Sequence, residues 1–457
     1  MENLDSTVLA TALPVIAADF GVSPILLKLA LTSYLLAIAV FLPASGWLAD
    51  RLGARVVFLA AVGVFTAGSI LCGFSTSMEM LVFARIVQGI GGAMMVPVGR
   101  LVILRTVQKH ELVGSLAWLT VPALIGPIVG PPVGGFITTY GDWPWIFWIN
   151  IPVGILGLVL AYLFIPDVRG DDRVAFDRIG FALTTVGLIT LMTGSTTLGL
   201  GLLPLPVVLA LLLSGIALIA AYVVYGRRQK DPLLDLTLLE LPTFRHSLIG
   251  AILFRLGIGA TPFLLPLMLQ VGFGMSAFQS GLITFASSVG ALAMKITATP
   301  ILRRFGFRNV LFWNAFISSA FVALPAAFTP MTPVSLMTTL LLIGGFFRSL
   351  QFTSINALSY ADVTPERMSR ATTLTSVAQQ LSLSMGISIG AITVELTTHF
   401  TGGVITAASF WPAFVLIGVI SLMSLLSFWK LPPDAGDEMS GRRPLAPDPV
   451  TAMRERG

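Results

Sequence analysis

Asp5 is an acid at the head of an otherwise apolar stretch, and it is the residue best suited to carry a proton. A carboxyl group in hydrocarbon is far cheaper protonated than ionised, and an approaching guanidinium or cationic cargo reverses that preference. Such a group can exchange a proton for a cargo or couple the movements of the two. Arg85 stands a little way inside a second apolar stretch, followed by Gln88 and Gly89. That polar, crowded face suits a protein-facing cavity, although an arginine snorkelling to the interface is geometrically possible. Arg255 and Arg348 fall near the middle of their stretches, where a cation costs about 2.5–3.5 kcal/mol to insert. No acid of the C-terminal half is placed to offset either. With Gln351 and Asn356 as neutral hydrogen-bonding partners, they read as an anion-binding site; arginines bonded to carbonyls are the structural alternative. Lys295 lies deeper and can snorkel. His110, His246 and His399 have no ligand-like spacing, so neither a metal site nor a cofactor is expected. The one cysteine, Cys72, forms no intrachain disulfide.

The elements that must hold these residues are spanning helices. Apolar residues make up 55% of the chain and charged ones only 11%, which excludes an ordinary soluble globule. A spanning helix needs about 20 apolar residues. That length gives fourteen stretches, near 4–21, 25–48, 56–74, 80–104, 111–138, 144–165, 179–200, 204–225, 246–271, 276–300, 309–329, 333–358, 371–396 and 407–429. Of the 27 lysines and arginines, only Lys28, Arg85, Arg100, Arg255, Lys295 and Arg348 lie outside every second connection and the tail. This positive-inside pattern puts both termini in the cytoplasm of an inner or plasma membrane. The net charge of +5 is dispersed over these turns and forms no nucleic-acid stripe. The first stretch is short and meets Asp5 early, so the sequence reads as lacking upstream residues of its first span.

An internal repeat organises the chain. The segment Gly46-Trp-Leu-Ala-Asp50-Arg51-Leu-Gly53-Ala-Arg55 follows the second stretch, and Thr299-Pro-Ile-Leu-Arg303-Arg304-Phe-Gly306-Phe-Arg308 follows the tenth, with one R-x-G-x-R frame. Two homologous six-helix bundles are expected, over 1–165 and 246–430, as in transporters whose halves rock about a central site. Loops at 166–178 and 226–245 flank an extra helix pair at 179–225, and a disordered tail is expected over 431–457. In the first turn, Gly46 and Gly53 with Asp50, Arg51 and Arg55 read as a gate latch, Gly46 allowing close packing and the charges reaching adjacent spans. A topology anchor is the simpler reading; Arg303 replaces the acid in the second copy. Gly126, Gly130 and Gly134 recur every fourth residue, a groove for a neighbouring helix. Pro127, Pro131 and Pro132 bend that helix, and Gly135 continues the run.

These segments resemble the major facilitator superfamily. The Gly46–Arg55 turn looks like its loop signature, and Arg85-Ile-Val-Gln88-Gly89-Ile-Gly91-Gly92 like the fourth-helix motif of its proton-coupled members. The run Gly126-Pro127-Ile-Val-Gly130-Pro131-Pro-Val-Gly134-Gly135 resembles the fifth-helix motif of its exporters. Leu4-Asp5-Ser-Thr7-Val-Leu-Ala10-Thr-Ala12-Leu13-Pro14 resembles the first-helix motif of the fourteen-helix drug/proton antiporter branch. Leu42–Asp50 and Gly91–Arg100 look most like MdtD-type exporters within that branch. Ala10 departs from a usual Asn and Ala117 from a usual Gly. The resemblance implies an all-α major facilitator fold with two extra central helices, and Asp5 and Arg85 in proton coupling.

The expected function is proton-driven export of drugs or toxic small molecules by alternating access, from a monomer whose partners are the cargo, protons and the lipid bilayer. Tyr34, Phe147, Trp148 and Phe263 would suit amphipathic cations, whereas the cation-rich middle of the second half favours an anionic metabolite or a metal-carboxylate chelate. An enzyme would need converging nucleophiles, bases or metal ligands within the spans, and a sensor or scaffold would need an output domain; the sequence offers neither.

Overall fold

The structure is a computed structural model describing residues 1–106, 112–166, 176–229, 231–364 and 367–440; side chains of part of the fifth helix, including Ala117, lie outside the described residues. Fourteen helical rods follow one another: α1 Glu2–Asp19, α2 Lys28–Leu52, α3 Ala54–Gly73, α4 Met78–Thr106, α5 Leu112–Tyr140, α6 Trp145–Phe164 and α7 Arg178–Thr197, then α8 Leu205–Gly226, α9 Pro242–Gly272, α10 Ala277–Phe305, α11 Phe307–Ala327, α12 Val334–Leu358, α13 Met368–Phe400 and α14 Ala407–Phe428. Twelve are long and apolar enough to cross a membrane by composition. The other two are α1, which carries Glu2, Asp5 and Asp19 in 18 residues, and α5, which is described only in part. No strand occurs among the described residues.

The repeat is visible in the turns. Gly53 (φ 97°) ends α2 and opens α3, and Gly306 (φ 75°) does the same between α10 and α11. Both sit where an L side chain would be strained, which is why the R-x-G-x-R frame keeps its glycine. Each copy is fastened alike within its own bundle. Arg55 donates to the carbonyl of Tyr162 in the last turn of α6, and Arg308 donates to that of Trp429, just past α14, at 3.2 Å. A second repeat lies at the opposite pole: Phe20-Gly21-Val22-Ser23 and Phe273-Gly274-Met275-Ser276 each combine a positive-φ glycine with a serine that caps the next helical segment.

The two bundles meet at this second pole. One apolar core joins Val8, Leu13, Leu27, Leu31 and Phe147 of the first bundle to Phe263, Leu267, Ile387 and Phe414 of the second. At the pole of the basic turns, Ala49, Ala54, Val57, Val98 and Val102 form a core of the first bundle alone, and Met294, Leu302, Phe307 and Leu358 belong to a core of the second. The seam is therefore sealed at the Ser23/Ser276 pole, while nearer the basic turns Val40 of α2 also shares a core with Ala371, Leu374 and Val377 of α13. The helix pair α7 and α8 packs on itself, and α7 lies against α2 and α13.

The loop before α9 is folded onto this pair. Leu234 and Leu238 are buried beside Tyr222, whose hydroxyl bonds both the N–H and the carbonyl of Leu234. Asp235 receives Arg367 at 3.1 Å, and Asp231 receives Arg370 at 2.7 Å, tying the loop to the start of α13. Burial pushes the Asp235 carboxyl up, but hydrogen bonds from Thr237 and Arg367 outweigh it and hold the group below the usual carboxylate range. The tail expected to be disordered from 431 begins with a packed stretch, since Leu431 and Ala435 are buried against the second bundle; residues 441–457 lie outside the described ones.

Candidate functional site

Five helices of the first bundle, α1, α2, α3, α4 and α6, bring a polar network into a dry interior. Close backbone approach makes this possible: a Cβ on Gly68 of α3 would lie 2.6 Å from Gln88 Cα, and one on Gly89 of α4 would lie 2.7 Å from the Tyr34 carbonyl. With α2, α3 and α4 so near, Arg85 is fully buried, as is Gln88 one turn on. Asp5, on α1, is 2% exposed. Arg85 Nη1 donates to Asp5 Oδ2 and to Gln88 Oε1, and its Nε donates to the Ala30 carbonyl at 3.1 Å. The guanidinium lies over the Tyr34 ring, 4.1 Å from its centre.

Asp5 Oδ1 is held independently. Gln88 Nε2 donates to it at 2.8 Å and also contacts Ser69 Oγ at 2.7 Å, while Asn150 Nδ2 donates to Asp5 Oδ1 at 3.0 Å. Both carboxylate oxygens are thus hydrogen-bonded, and the one adjacent cation is bonded to the carboxylate itself. A buried pair of this kind tolerates loss of neither partner, because the remaining charge is left uncompensated. Ser69 and Asn150 escaped the sequence reading. A lone Asn near the start of the sixth apolar stretch was the available signal, but only the fold shows that it faces Asp5.

The glycine-rich helix has two working faces. Cβ atoms on Gly126, Gly130 and Gly134 would strike α1 at Leu4, Thr7 and Thr11, the Gly130 contact at 2.0 Å from Thr7 Oγ1. Thr7 also donates to the Gly126 carbonyl at 3.2 Å. The other face meets the second bundle: Gly135 abuts the Ala277 backbone, the Pro131 carbonyl abuts Gly281, and Ser288 donates to the Pro127 carbonyl at 2.6 Å. So α5 presses the helix that carries Asp5 on one side and the seam on the other.

In the basic turn, Arg51 lies over Trp47 and Arg55 over Tyr162, at 5.3 and 4.5 Å from the ring centres. One expectation is corrected here. A Cβ on Gly46 would meet nothing within 4 Å, so this glycine is not a close-packing position; the constraint sits on Gly53, through its backbone angle.

The cations of the second bundle are held by neutral groups. Arg255 Nη2 donates to Asn356 Oδ1 at 2.6 Å and its guanidinium lies 5.0 Å from the Phe352 ring centre. Arg348 Nη2 donates to Ser287 Oγ at 2.8 Å, in a small recess also lined by Thr261 and Ser318. Lys295 donates to Thr353 at 2.7 Å. All three contacts involve one stretch of α12. Gln351 does not join them: it is fully buried, accepts from Asn314 at 2.8 Å and donates to the Leu311 carbonyl at 3.1 Å, which ties α12 to α11. The expected grouping of Gln351 with both arginines is corrected accordingly, because its amide is taken up by Asn314 and the Leu311 carbonyl of α11. Phe147 and Phe263 are buried in the core across the sealed pole, and Tyr34 covers Arg85.

The family model of the Major Facilitator Superfamily matches residues 1–227 and 247–455. The chain belongs to that superfamily. It is 37% identical over 443 residues, 95% of this chain and 94% of the relative, to MdtD of Yersinia pestis (strain Pestoides F), whose name marks it as a candidate multidrug resistance protein. MdtD of Yersinia pseudotuberculosis serotype O:1b (strain IP 31758) is equally similar. Among solved structures, a D-xylose-proton symporter superposes with a TM-score of 0.66 at 16% identity, covering 95% of each chain. The human organic anion transporter MFSD10 (TETRAN) superposes at 0.60 with 14% identity, covering 93% of this chain and 96% of that one. These two likenesses establish the fold alone. The protein is accordingly a multi-pass membrane transporter and not an enzyme.

Proposed function

We propose that this superfamily member is a proton-coupled exporter of drugs or other toxic small molecules, working by alternating access in the cytoplasmic membrane. On this reading all fourteen helices span the bilayer, both termini are cytoplasmic, and the sealed pole is the outer one. The observation that carries the reading is the buried Asp5–Arg85 pair with its supports Gln88, Ser69 and Asn150. A carboxylate sealed from water against a fixed guanidinium has two stable conditions, ionised and paired or protonated and released, and helix movement can select between them. Because α5 touches both α1 and the seam, opening the outer pole disturbs the packing of the helix that bears Asp5. Similarity to MdtD proteins supports drug-like cargo, and the Gly46–Arg55 turn, with Asp50, is read as the latch of the cytoplasmic gate.

A second reading has its own support. Arg255, Lys295 and Arg348 are bonded to neutral side chains, which leaves positive charge in the second bundle that an anionic metabolite or metal-carboxylate chelate would complement. Inverted membrane vesicles with an imposed pH gradient, offered cationic dyes and organic acids, test both. Accumulation of a cationic dye that collapses with the gradient supports the first reading, and accumulation of acids alone supports the second. Cargo movement indifferent to the gradient would refute proton coupling.

A further inference from the structure

The small recess beside Arg348 lies where the repeat would place the polar network of the first bundle. Tyr34 and Ser287 occupy one position of the repeat, each nineteen residues before the turn glycine, Gly53 or Gly306. Each is also met by a glycine: a Cβ on Gly89 would lie 2.7 Å from the Tyr34 carbonyl, and one on Gly345 would lie 2.0 Å from the Ser287 carbonyl. In that register Ser69, Arg85 and Gln88 correspond to Val322, Leu341 and Gly344, and all three of the latter line the recess. With apolar or absent side chains there, the second bundle encloses a cavity of about 20 Å³, room for one small guest. One position is exchanged the other way. Gly92 leaves space for the Tyr34 hydroxyl, which is 3.1 Å from where its Cβ would be, whereas its counterpart Arg348 reaches into the recess and bonds Ser287. The cation is kept but the acid is not, since α9, α10, α11 and α12 contain no aspartate or glutamate. Hydroxyls stand in its place. Thr261 Oγ1 is buried with no hydrogen-bond partner among the described residues, and Ser318 reaches only a carbonyl of its own helix, at 3.4 Å. Ser287, having accepted from Arg348, keeps its own proton to donate.

We propose that this recess is a binding site for a single halide ion, chloride in size, held by the Arg348 guanidinium with the Thr261 and Ser287 hydroxyls. A bound ion then does for Arg348 what the carboxylate of Asp5 does for Arg85. A guanidinium inside a span is costly without a counter-charge, and a water molecule would satisfy the hydroxyls without supplying one. Every polar group that faces the recess can donate, which suits an anion that brings no proton of its own. The volume takes a one-atom ion and excludes a whole organic acid, and an anionic cargo that reached Arg348 would displace the ion. The site goes beyond the proposed function, for it depends neither on proton coupling nor on the cargo.

The purified full-length protein is melted in detergent at fixed pH and ionic strength while gluconate, too large for the recess, is exchanged for chloride or bromide. The melting temperature should rise with either halide along a saturating curve, because an ion bound only by the folded chain stabilises it by mass action. Arg348→Leu should abolish the rise. Thr261→Val, which keeps the shape and removes one donor, should raise the half-saturating halide concentration about tenfold, the worth of a hydrogen bond to a charge. Arg255→Leu, outside the recess, should keep the parent half-saturation. A melting temperature indifferent to halide, a rise that never saturates, parent behaviour in Arg348→Leu or Thr261→Val, or loss of the effect in Arg255→Leu overturns the site. Should Arg348→Leu fail to accumulate, Thr261→Val decides alone, and half-saturation at the parent concentration overturns the site equally. No transport is measured, so failure of the proposed function and failure of this inference remain distinguishable.

Discussion

The two bundles share their turns but not their polar interiors. In both, a positive-φ glycine joins the second helix to the third, and the arginine two residues on fastens that turn to the end of the sixth helix, Arg55 to Tyr162 and Arg308 to Trp429. Inside, the first bundle holds an acid and a base against each other, Asp5 and Arg85. The second holds Arg255, Lys295 and Arg348 against Asn356, Thr353 and Ser287. A duplicated scaffold keeps what each bundle needs to close on itself, while the interior is free to diverge. Compensated charge can be switched by a proton; uncompensated positive charge attracts an anion. On the proposed reading, the first bundle handles the proton and the second meets the cargo.

The largest effect should come from breaking the compensated pair. Asp5→Asn should abolish pH-gradient-driven accumulation in inverted vesicles while leaving cargo exchange without a gradient. The substitution also strands the Arg85 charge, so the amount of protein inserted is measured beside transport; full gradient-driven transport by Asp5→Asn would remove Asp5 from coupling. In the second bundle, Arg255→Ala or Arg348→Ala should weaken transport of an organic acid by roughly ten- to a hundredfold, the worth of a charge-assisted hydrogen bond. Lysine at either position should recover only part of it, since it lacks the two-pronged contact. Export of cationic dyes at the parent rate by both alanine variants, with no acid ever carried, would make these arginines structural.

Packing sharpens the comparison further. Gly130→Ala places a methyl group 2.0 Å from Thr7 Oγ1 on the helix that bears Asp5, and overpacking of this kind costs about 1–3 kcal/mol. Gly46→Ala, with nothing within 4 Å of the added methyl, should leave thermal stability in detergent unchanged; equal melting temperatures for the two variants would contradict the groove. At the first bundle's turn, Asp50→Asn should slow turnover about severalfold while cargo affinity moves little, because a latch shifts the balance of two states and leaves the site intact. Equal turnover would reduce the turn to a topology anchor.

The smallest effect belongs to the loop that joins the extra pair to the second bundle. Asp235 is held below the usual carboxylate range by Thr237 and Arg367, against the push of burial. Its contribution to stability is therefore complete above the carboxylate's unfolded value and is lost as the pH falls through the folded one. The melting temperature of the purified protein should decline on acidification through that window, and Asp235→Asn should flatten the decline. An unaltered slope would show that other carboxylates dominate it.

Much of the fold was legible because hydrocarbon is a demanding solvent: it requires long apolar helices, expels charge to the turns and makes every buried ion conspicuous. Periodic glycines announced a groove, and the R-x-G-x-R frame announced the duplication, since both depend on local backbone geometry. Sequence alone thus determined the membrane class, the helices, the repeat and the candidacy of Asp5, Arg85, Arg255 and Arg348. It could not say which candidates meet. Asn150 and Ser69 reach the Asp5 network from distant parts of the chain, Gln351 bonds Asn314 and Leu311 of α11, and a Cβ on Gly46 would meet nothing within 4 Å. Lys28 is a surface residue or a buried one depending on how two bundles close. Those outcomes follow from helix rotation and inter-bundle contact, which depend on all the packed surfaces together, and so only the tertiary structure decided them.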